Sequence, residues 1–320
     1  MGKFKDMAKP VAGLLPHVCY EALRKRFQTP PPPAPQPIAV ALIQLLNQRY
    51  PEVGISLLDI GARLGLTDHG LRDLIALANL RVEGIEPDRD EAVRLLADPE
   101  LGRYQVVHPV VVYDVPASLD LYLTRIKGCS SVKRPLSEKI QHLTCSSWFE
   151  VLGKERIQVV PLATLYGTER QFDYIKIDVQ GAEMEVIRGG AELFEKALGV
   201  MIEVQFQPLY EGQALFPEVH GWFQKRGYHI VGFENHSGFY NGDLVEADCA
   251  YIKSPDSIAS RESFLKRLLF SAICGNDLYI EMLLRCHAGK FFTQDEIQAF
   301  IDAMHVEINP DKLDMLGPHN

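Results

Sequence analysis

Several sequence features that mark common protein classes are absent from this 320-residue chain. Its six cysteines form no C-x-x-C pair and its ten histidines no H-x-x-x-H pair, so neither a zinc site nor a dithiol redox pair is indicated. No G-x-x-x-x-G-K-[ST] loop is present to bind a triphosphate. No apolar run approaches the ~18 residues of a membrane span. A net charge of −9 argues against nucleic-acid binding by the whole chain.

The composition is that of a soluble globular protein, with 47% hydrophobic and 23% charged residues. The N-terminal residues are charged and interrupted by Pro10 and Pro16, so we expect no secretory signal. Scattered cysteines in a chain of this kind are expected to stay reduced. These observations together predict a cytoplasmic protein without an integral membrane segment.

A glycine-containing stretch, Ser56 to Gly65 (SLLDIGARLG), is the clearest local signal. An apolar run ends at Asp59, turns through Gly61 and Gly65, and is followed by apolar residues at helical spacing from Leu71, which predicts a strand, a tight loop and a helix. A second strand then ends in Glu86. This spacing matches sites where an acid about 20 residues beyond the glycine loop binds ribose hydroxyls.

The glycine pattern also indicates which nucleoside cofactor would bind. A dinucleotide fingerprint, G-x-G-x-x-G, would place a glycine where Arg63 stands, so nicotinamide binding is disfavoured. The pattern D-x-G-x-x-x-G is typical of S-adenosylmethionine enzymes. A plain structural strand-to-helix turn with two glycines is the alternative.

The remainder of the chain divides into three predicted parts. Residues 1–37 combine a basic segment with a proline-rich linker, and residues 38–253 alternate strands and helices, which predicts a mostly parallel α/β sheet closed by an antiparallel strand. Within this part, a hairpin turn is predicted at Asp114-Val115-Pro116. Residues 254–320 are helical and could pack on the core, cover the acceptor site or form a homodimer surface.

Three stretches together resemble the FkbM family of S-adenosylmethionine-dependent methyltransferases. They are Leu57 to Gly61 (LLDIG), Val82 to Pro87 (VEGIEP) and Lys176 to Glu183 (KIDVQGAE), the last being the most specific. The resemblance implies a class I methyltransferase fold, a Rossmann-like seven-stranded sheet flanked by helices. Two departures are visible: Arg63-Leu64 replaces small or amide residues, and Thr164-Leu165-Tyr166 stands where Thr-Leu-Asp is common.

Five residues are expected to bind S-adenosylmethionine. Asp59, Gly61 and Gly65 should line its methionine and ribose portion, with Asp59 attracting the ammonium group. Glu86 should accept hydrogen bonds from the ribose hydroxyls. Asp114 could approach the adenine amino group, although an ordinary turn acid would serve equally.

The candidate catalytic residues are Asp178, Glu203 and His236. Asp178 ends a buried strand, and as general base it would take the proton of an acceptor hydroxyl; the alternative is a carboxylate that caps the following helix. Glu203 ends the next strand and should lie near it. His108 and His236 are alternative bases, and for each the competing interpretation, which we favour, is an ordinary surface or core histidine. Asp178 and Glu203 could together hold a divalent metal that lowers the pKa of the acceptor hydroxyl. The resemblance does not imply a metal, and we expect none.

The resemblance therefore implies a methyltransferase that O-methylates a hydroxyl of a sugar, a glycan or a natural product. The competing hypothesis is a catalytically silent methyltransferase-like module that binds a partner protein through the proline-rich segment and the helical tail.

Overall fold

The structure of the protein is a computed structural model that describes residues 36–304 except residues 69 and 236–239. The basic and proline-rich segment, apart from Gln36 and Pro37, therefore lies outside the described residues. His236, one of the candidate bases, lies outside them as well.

Ten strands are described, and seven of them form one sheet. They are β1 Ile55–Ile60, β2 Leu80–Ile85, β3 Tyr104–His108, β4 Val111–Val112, β5 Ala117–Thr124, β6 Val151–Val160, β7 Tyr174–Ile177, β8 Gly199–Gln205, β9 Tyr228–Asn235 and β10 Glu246–Lys253. The order across the large sheet is β3-β2-β1-β7-β8-β10-β9. Strands β4, β6 and β5 form a second, smaller sheet in that order.

The central strands of the large sheet are buried on both faces, which is why they are near-continuous apolar runs in the sequence. Every residue of β7 and β8 is buried, and β1 pairs in parallel with β2 and β7. Strand β10 runs antiparallel to both β8 and β9. The seven-stranded, mostly parallel sheet with an antiparallel strand near its end is therefore confirmed.

Ten α-helices flank the sheets within the described ranges. They are α1 Pro37–Arg49, α2 Arg89–Ala97, α3 Ser137–Ile140, α4 Leu162–Tyr166, α5 Glu183–Gly189, α6 Ala191–Lys196, α7 Phe216–Gln224, α8 Arg261–Ile273, α9 Asp277–Cys286 and α10 Gln294–Met304. None of the described helices is long and apolar enough to cross a membrane.

The C-terminal helices share a hydrophobic core with α1 and one face of the sheet. Leu268 and Leu269 of α8 are fully buried in the same cluster as Leu42 and Leu46 of α1. Burial of one such leucine contributes roughly 1.5–3 kcal/mol. Helix α8 thus packs on the sheet, while a dimer through these helices stays a prediction.

Two local predictions are wrong. The segment after the glycine loop forms two 3₁₀ segments, Gly65–Asp68 and Gly70–Ala76, instead of an α-helix. The chain must reach β2 at Leu80, and the Arg103 guanidinium binds the carbonyls of Ile75, Leu77 and Ala78, which ends the helical turns there.

The hairpin predicted at Asp114-Val115-Pro116 does not form, because β6 lies between β4 and β5. Strand β6 pairs in parallel with β4 and antiparallel with β5. It begins at Val151 and so offers β5 a long partner. Turn residues indicate where a chain reverses, but they do not identify the strand that will pair.

Candidate active site

A cavity of about 680 Å³ lies at the carboxyl ends of β1, β2 and β7, where ligands bind in sheets of this kind. The second sheet forms its opposite wall. The large sheet contributes residues from three strand ends, namely Gly61, Arg63, Glu86, Asp178 and Gln180. The second sheet contributes Leu121, Leu123 and Glu155.

The two glycines of the loop are held against protein backbone. Gly61 has φ +78°, and a Cβ there would lie 1.8 Å from the carbonyl oxygen of Asp178. Gly65 has φ +71°, and its Cβ would lie 2.3 Å from the carbonyl oxygen of Leu101. Gly61 lines the cavity, whereas Gly65 is not among the lining residues. Gly61 therefore fixes the distance between the β1 loop and Asp178.

Replacing Gly61 with alanine should destabilise the fold by about 2–4 kcal/mol, from backbone strain and overpacking together. The matched control is Gly212→Ala, since Gly212 has φ +62° but no atom within 4 Å of an added Cβ. The free energy of unfolding in urea, measured for both variants, separates backbone strain, which both share, from overpacking, which affects Gly61→Ala alone. Equal losses would show that the contact with Asp178 is unimportant.

Asp59 is fully buried beneath the loop and is not among the cavity-lining residues. Its Oδ2 accepts a hydrogen bond of 2.5 Å from the Tyr104 hydroxyl, and its Oδ1 lies 3.5 Å from the Lys176 ammonium. The same ammonium donates to the Gly61 carbonyl at 3.0 Å and lies 3.9 Å from Asp178 Oδ2. Lys176 thus connects Asp59, the glycine loop and Asp178.

Burial works to lower the pKa of Lys176, but the carboxylates of Asp59 and Asp178 outweigh it and raise that pKa above its ordinary value. The ammonium therefore stays charged at neutral pH. A buried cation offsets part of the repulsion among the acids around it.

Glu86 is buried at the end of β2 and lines the cavity. Burial raises the pKa of its carboxyl above the usual range, opposed by a 2.8 Å hydrogen bond from the Asp88 amide and by Arg63. The Arg63 guanidinium lies 3.6 Å from Glu86 and 2.9 Å from Asp88. Asp88 also accepts from the Lys127 ammonium at 2.8 Å, and these two cations lower the pKa of its carboxyl. Arg63 therefore anchors the loop to Glu86 and Asp88.

Three carboxylates meet at the ends of β7 and β8. Oxygens of Asp178, Glu183 and Glu203 all lie within 4.8 Å of one another. The Gln180 amide nitrogen lies between two of them, donating to Asp178 at 2.8 Å and to Glu203 at 3.5 Å. The structure thus places Glu203 beside Asp178, as the sequence suggested, and Asp178 is the member that lines the cavity.

Glu183 stabilises the turn between β7 and α5. Its Oε1 accepts from the amides of Val179 and Gly181 at 3.1 and 3.0 Å. The carboxylate that binds backbone amides at this turn is therefore Glu183, and the Asp178 carboxylate is directed to Gln180 and Lys176 instead. This arrangement favours the general-base hypothesis for Asp178 over the helix-capping alternative.

Glu183 should also make stability depend on pH. Burial raises the pKa of its carboxyl from 4.5 to about 7, so the folded protein retains a proton that the unfolded chain releases. The free energy of unfolding should therefore fall between pH 4.5 and 7, by at most about 3 kcal/mol from this group. Glu183→Gln should lose less stability across that window in urea unfolding, while the exposed Glu192→Gln should follow the wild type. Identical slopes for all three proteins would contradict the assignment.

Two donors near the three carboxylates bear on the metal question. The Gln180 amide bridges Asp178 and Glu203, and the Gln205 amide donates to Glu203 at 2.5 Å. A divalent cation would compete with these donors for the same oxygens. Burial, together with the neighbouring Asp178, raises the pKa of the Glu203 carboxyl well above its usual range. That no metal is used stays a prediction.

Two further sequence candidates lie away from the cavity. Asp114 has one buried carboxylate oxygen without a hydrogen bond within the described chain, and it adjoins Gly189 of α5. His108 packs edge-on against the Tyr166 ring, with centroids 5.6 Å apart. Neither residue is among those that line the cavity.

Comparison with known proteins identifies the family. The profile of the methyltransferase FkbM domain matches residues 59–230, more than half of the chain. The chain belongs to the FkbM methyltransferase family. The match begins at Asp59 and includes Glu86, Asp178 and Glu203, so the cavity described above lies in the family's own domain. No curated protein sequence matches the chain.

Solved structures that are similar to this FkbM-family protein are distant. Magnesium protoporphyrin IX methyltransferase from Synechocystis PCC 6803, solved with bound S-adenosylmethionine, is 11% identical, with 77% of this chain and 96% of that chain covered and a TM-score of 0.31. An O-methyltransferase family 2 protein from Planctomyces limnophilus DSM 3776, in complex with apigenin, is 12% identical, with 68% and 62% covered and a TM-score of 0.34. At these scores neither likeness bears on the substrate.

Sequence reasoning missed several residues of this FkbM-family site. The sequence could have indicated Lys176, because a lysine inside an otherwise apolar buried strand requires a partner for its charge. Gln180 has φ +58°, unusual for a residue with a side chain, and no local sequence pattern indicates it. Glu155 and Lys127 reach the cavity through the second sheet, which the sequence did not predict.

Proposed function

We propose that the protein is an S-adenosylmethionine-dependent methyltransferase that methylates a hydroxyl group of a sugar, a glycan or a natural product. One observation carries the proposal: the ribose acid Glu86 and the carboxylate of Asp178 line the same cavity within the FkbM domain. S-adenosylmethionine supplies an electrophilic methyl group on a sulfonium, so the protein needs only to position it and to accept a proton.

The cavity residues fit this cofactor chemically. The Glu86 carboxylate is 4% exposed and, beyond the Asp88 amide and Arg63, still has acceptor capacity for a diol. The apolar side chains of Ile85 and Val110 to Val112 line the cavity beside it and suit the flat face of an adenine ring. Gly61 also lines the cavity, where it has no side chain to obstruct a ligand.

Asp178 is the proposed general base. Its Oδ1 is held by the Gln180 amide, and its Oδ2, which accepts no hydrogen bond from the described residues, lies 3.9 Å from the Lys176 ammonium. Oδ2 can therefore accept the proton of an acceptor hydroxyl while that oxygen attacks the methyl group in line. Gln180 is itself fixed by the Tyr210 hydroxyl, which donates to Gln180 Oε1 at 2.8 Å. These contacts orient the carboxylate before substrate arrives.

Calorimetric titration with S-adenosylmethionine and with S-adenosylhomocysteine tests cofactor binding. Glu86→Gln should weaken both by roughly 10- to 100-fold, since a hydrogen bond to a charged group contributes about 1.5–3 kcal/mol. Glu83→Gln is the matched control, because Glu83 lies on the same strand but pairs with Arg170 outside the cavity. A wild type that binds neither ligand would overturn the proposal and favour the silent interaction module.

The acceptor is tested separately. Purified protein is incubated with methyl-labelled S-adenosylmethionine and panels of glycans, lipid-linked sugars and hydroxylated natural products. We expect a mass gain of one methyl group on an oxygen. Methylation at nitrogen or carbon alone would contradict O-methylation while leaving cofactor dependence intact.

A further inference from the structure

Gln180, in the turn between β7 and α5, has a backbone conformation that residues with a side chain rarely adopt. Its φ is +58°, and that of Gly181 is +96°. A Cβ on Gly181 would lie 2.8 Å from the Tyr210 ring, so the turn is packed tightly on that side. A residue in such a conformation is retained only where its surroundings hold it there. The contacts that hold Gln180 therefore bear on Asp178, to which the Gln180 side-chain amide donates.

One of these contacts comes from the second sheet. The Ser131 hydroxyl donates a hydrogen bond of 2.7 Å to the backbone carbonyl of Gln180. Ser131 is only 2% exposed, although it is among the residues that line the cavity. Its Oγ also accepts from the Lys133 amide at 3.0 Å, which leaves the single hydroxyl hydrogen for Gln180. Ser131 is thus a buried donor that holds the backbone of Gln180.

Ser131 is itself attached to the wall of the cavity. Its backbone exchanges two hydrogen bonds with Tyr122 of β5, one of 2.8 Å and one of 3.2 Å. Tyr122 lies between Leu121 and Leu123, which both line the cavity. A chain of hydrogen bonds therefore connects the β5 wall to the turn that contains Gln180.

A largely buried ion pair holds the same segment against α5. The Lys133 ammonium lies 3.0 Å from Glu185 Oε1, and only 8% and 12% of these two side chains are exposed. The ammonium also donates to the Gly212 carbonyl at 2.5 Å. Since the segment is held both at β5 and at α5, Ser131 can keep the Gln180 carbonyl in a fixed place.

We propose that Ser131 is a positioning residue for methyl transfer. Through Gln180 it sets the orientation of the Asp178 carboxylate relative to the cavity wall formed by β5. Tyr210 holds the side chain of Gln180 and Ser131 holds its backbone, so the two contacts act on the same residue from different sides. The inference rests on the proposed function, in which Asp178 is the general base.

The first test measures Gln180 directly and needs no substrate. Full-length protein is labelled with ¹⁵N-glutamine, and the signal of the Gln180 side-chain amide is assigned by its loss in Gln180→Ala. In Ser131→Ala the exchange of this amide with water should become roughly 3- to 10-fold faster, the effect of one lost hydrogen bond. Ser131→Cys keeps the shape of the side chain but is a weak donor, so it should also speed exchange and tests the same bond if Ser131→Ala fails to fold.

Thr124→Val is the matched control. Thr124 is also a buried hydroxyl residue of the second sheet, but its hydroxyl donates to the Ile126 carbonyl at 2.6 Å and makes no contact with Gln180. Exchange of the Gln180 amide should therefore stay within about twofold of the wild type in this variant.

The second test uses an acceptor found by the screen. Ser131→Ala should lower kcat roughly 3- to 10-fold, while the KM of the acceptor and the affinity for S-adenosylhomocysteine change by less than about twofold, since the loss falls on the orientation of the base. In the Gln180→Ala background the same substitution should lower kcat by less than about twofold, because its effect passes through Gln180. A residue that only stabilised the fold would cost the same in both backgrounds.

Three results would overturn the proposal. They are unchanged amide exchange in Ser131→Ala, equal losses of kcat in both backgrounds, and a raised KM with kcat intact, which would make Ser131 an acceptor-binding residue. A wild type that does not bind S-adenosylmethionine would overturn the proposed function, and with it the role of Ser131 in methyl transfer. Because amide exchange is measured without cofactor, it reports the contact between Ser131 and Gln180 in either case, and the two failures are distinguishable.

Discussion

Asp178→Asn should lower the rate of methyl transfer by roughly 10²- to 10⁴-fold, the usual contribution of a general base. The asparagine amide keeps the size of the side chain and can still contact Gln180, but it cannot accept the acceptor proton. Affinity for S-adenosylhomocysteine should change only a few-fold, because the loss falls on the chemical step. Single-turnover rates with an acceptor found by the screen, together with calorimetry, provide the measurement.

Glu203→Gln is the informative comparison, since Glu203 is the other carboxylate proposed for catalysis. Burial raises the pKa of its carboxyl well above the usual range, it does not line the cavity, and its two oxygens accept hydrogen bonds from the amides of Gln180 and Gln205. Its replacement should therefore cost less than about tenfold in rate, as expected for a group that only orients Gln180. If Glu203→Gln were the slower enzyme, the base assignment would have to move to Glu203.

The sheet and the position of Glu86 at the end of β2 could be predicted because each depends on local sequence. Strands β1, β7 and β8 are buried apolar runs, and such runs predict central parallel strands directly. Glu86 follows from the spacing between a glycine loop and the next strand end, which the fold keeps nearly constant. The positions of the central strands and of Glu86 therefore depend on few long-range contacts.

The role of Arg63 could not be predicted, because its partners are distant along the chain. Its contacts with Glu86 and Asp88 depend on how closely the β1 loop approaches the start of α2. The Asp88–Lys127 ion pair further requires the second sheet, whose strand order contradicts the turn signal at Asp114. Contacts set by tertiary packing leave no periodic pattern to read.

Glu183 and Asp178 illustrate a further limit. Both acids adjoin the start of α5, and either could have bound the free amides at the turn. In the structure the Glu183 carboxylate accepts from these amides, and Asp178 lines the cavity. The choice depends on side-chain direction at a turn where Gln180 has positive φ, and sequence spacing does not determine that direction.

Lys176→Met should produce the largest loss of stability among the substitutions considered, about 3–5 kcal/mol, because it leaves Asp59 as an uncompensated buried charge. Asp59 is fully buried, and Lys176 is the cation within 3.5 Å of its Oδ1. The loss is measured as the free energy of unfolding in urea at pH 7. Affinity for S-adenosylmethionine should fall with it, since the ammonium also binds the Gly61 carbonyl.

A double variant distinguishes this electrostatic cause from a simple packing defect. Asp59→Asn combined with Lys176→Met removes both charges while the asparagine can still accept from Tyr104, so it should be more stable than Lys176→Met alone. Lys266→Met is the control: Lys266 pairs with Asp173 at 2.8 Å, but Asp173 also accepts hydrogen bonds from the amide and the hydroxyl of Ser56, so this variant should lose less stability than Lys176→Met. A double variant less stable than Lys176→Met would show that the methylene chain of Lys176, rather than its charge, supports the loop. The opposite result would identify the ammonium as the group that keeps Asp59, Gly61 and Asp178 in one arrangement, and with it the geometry of the active site.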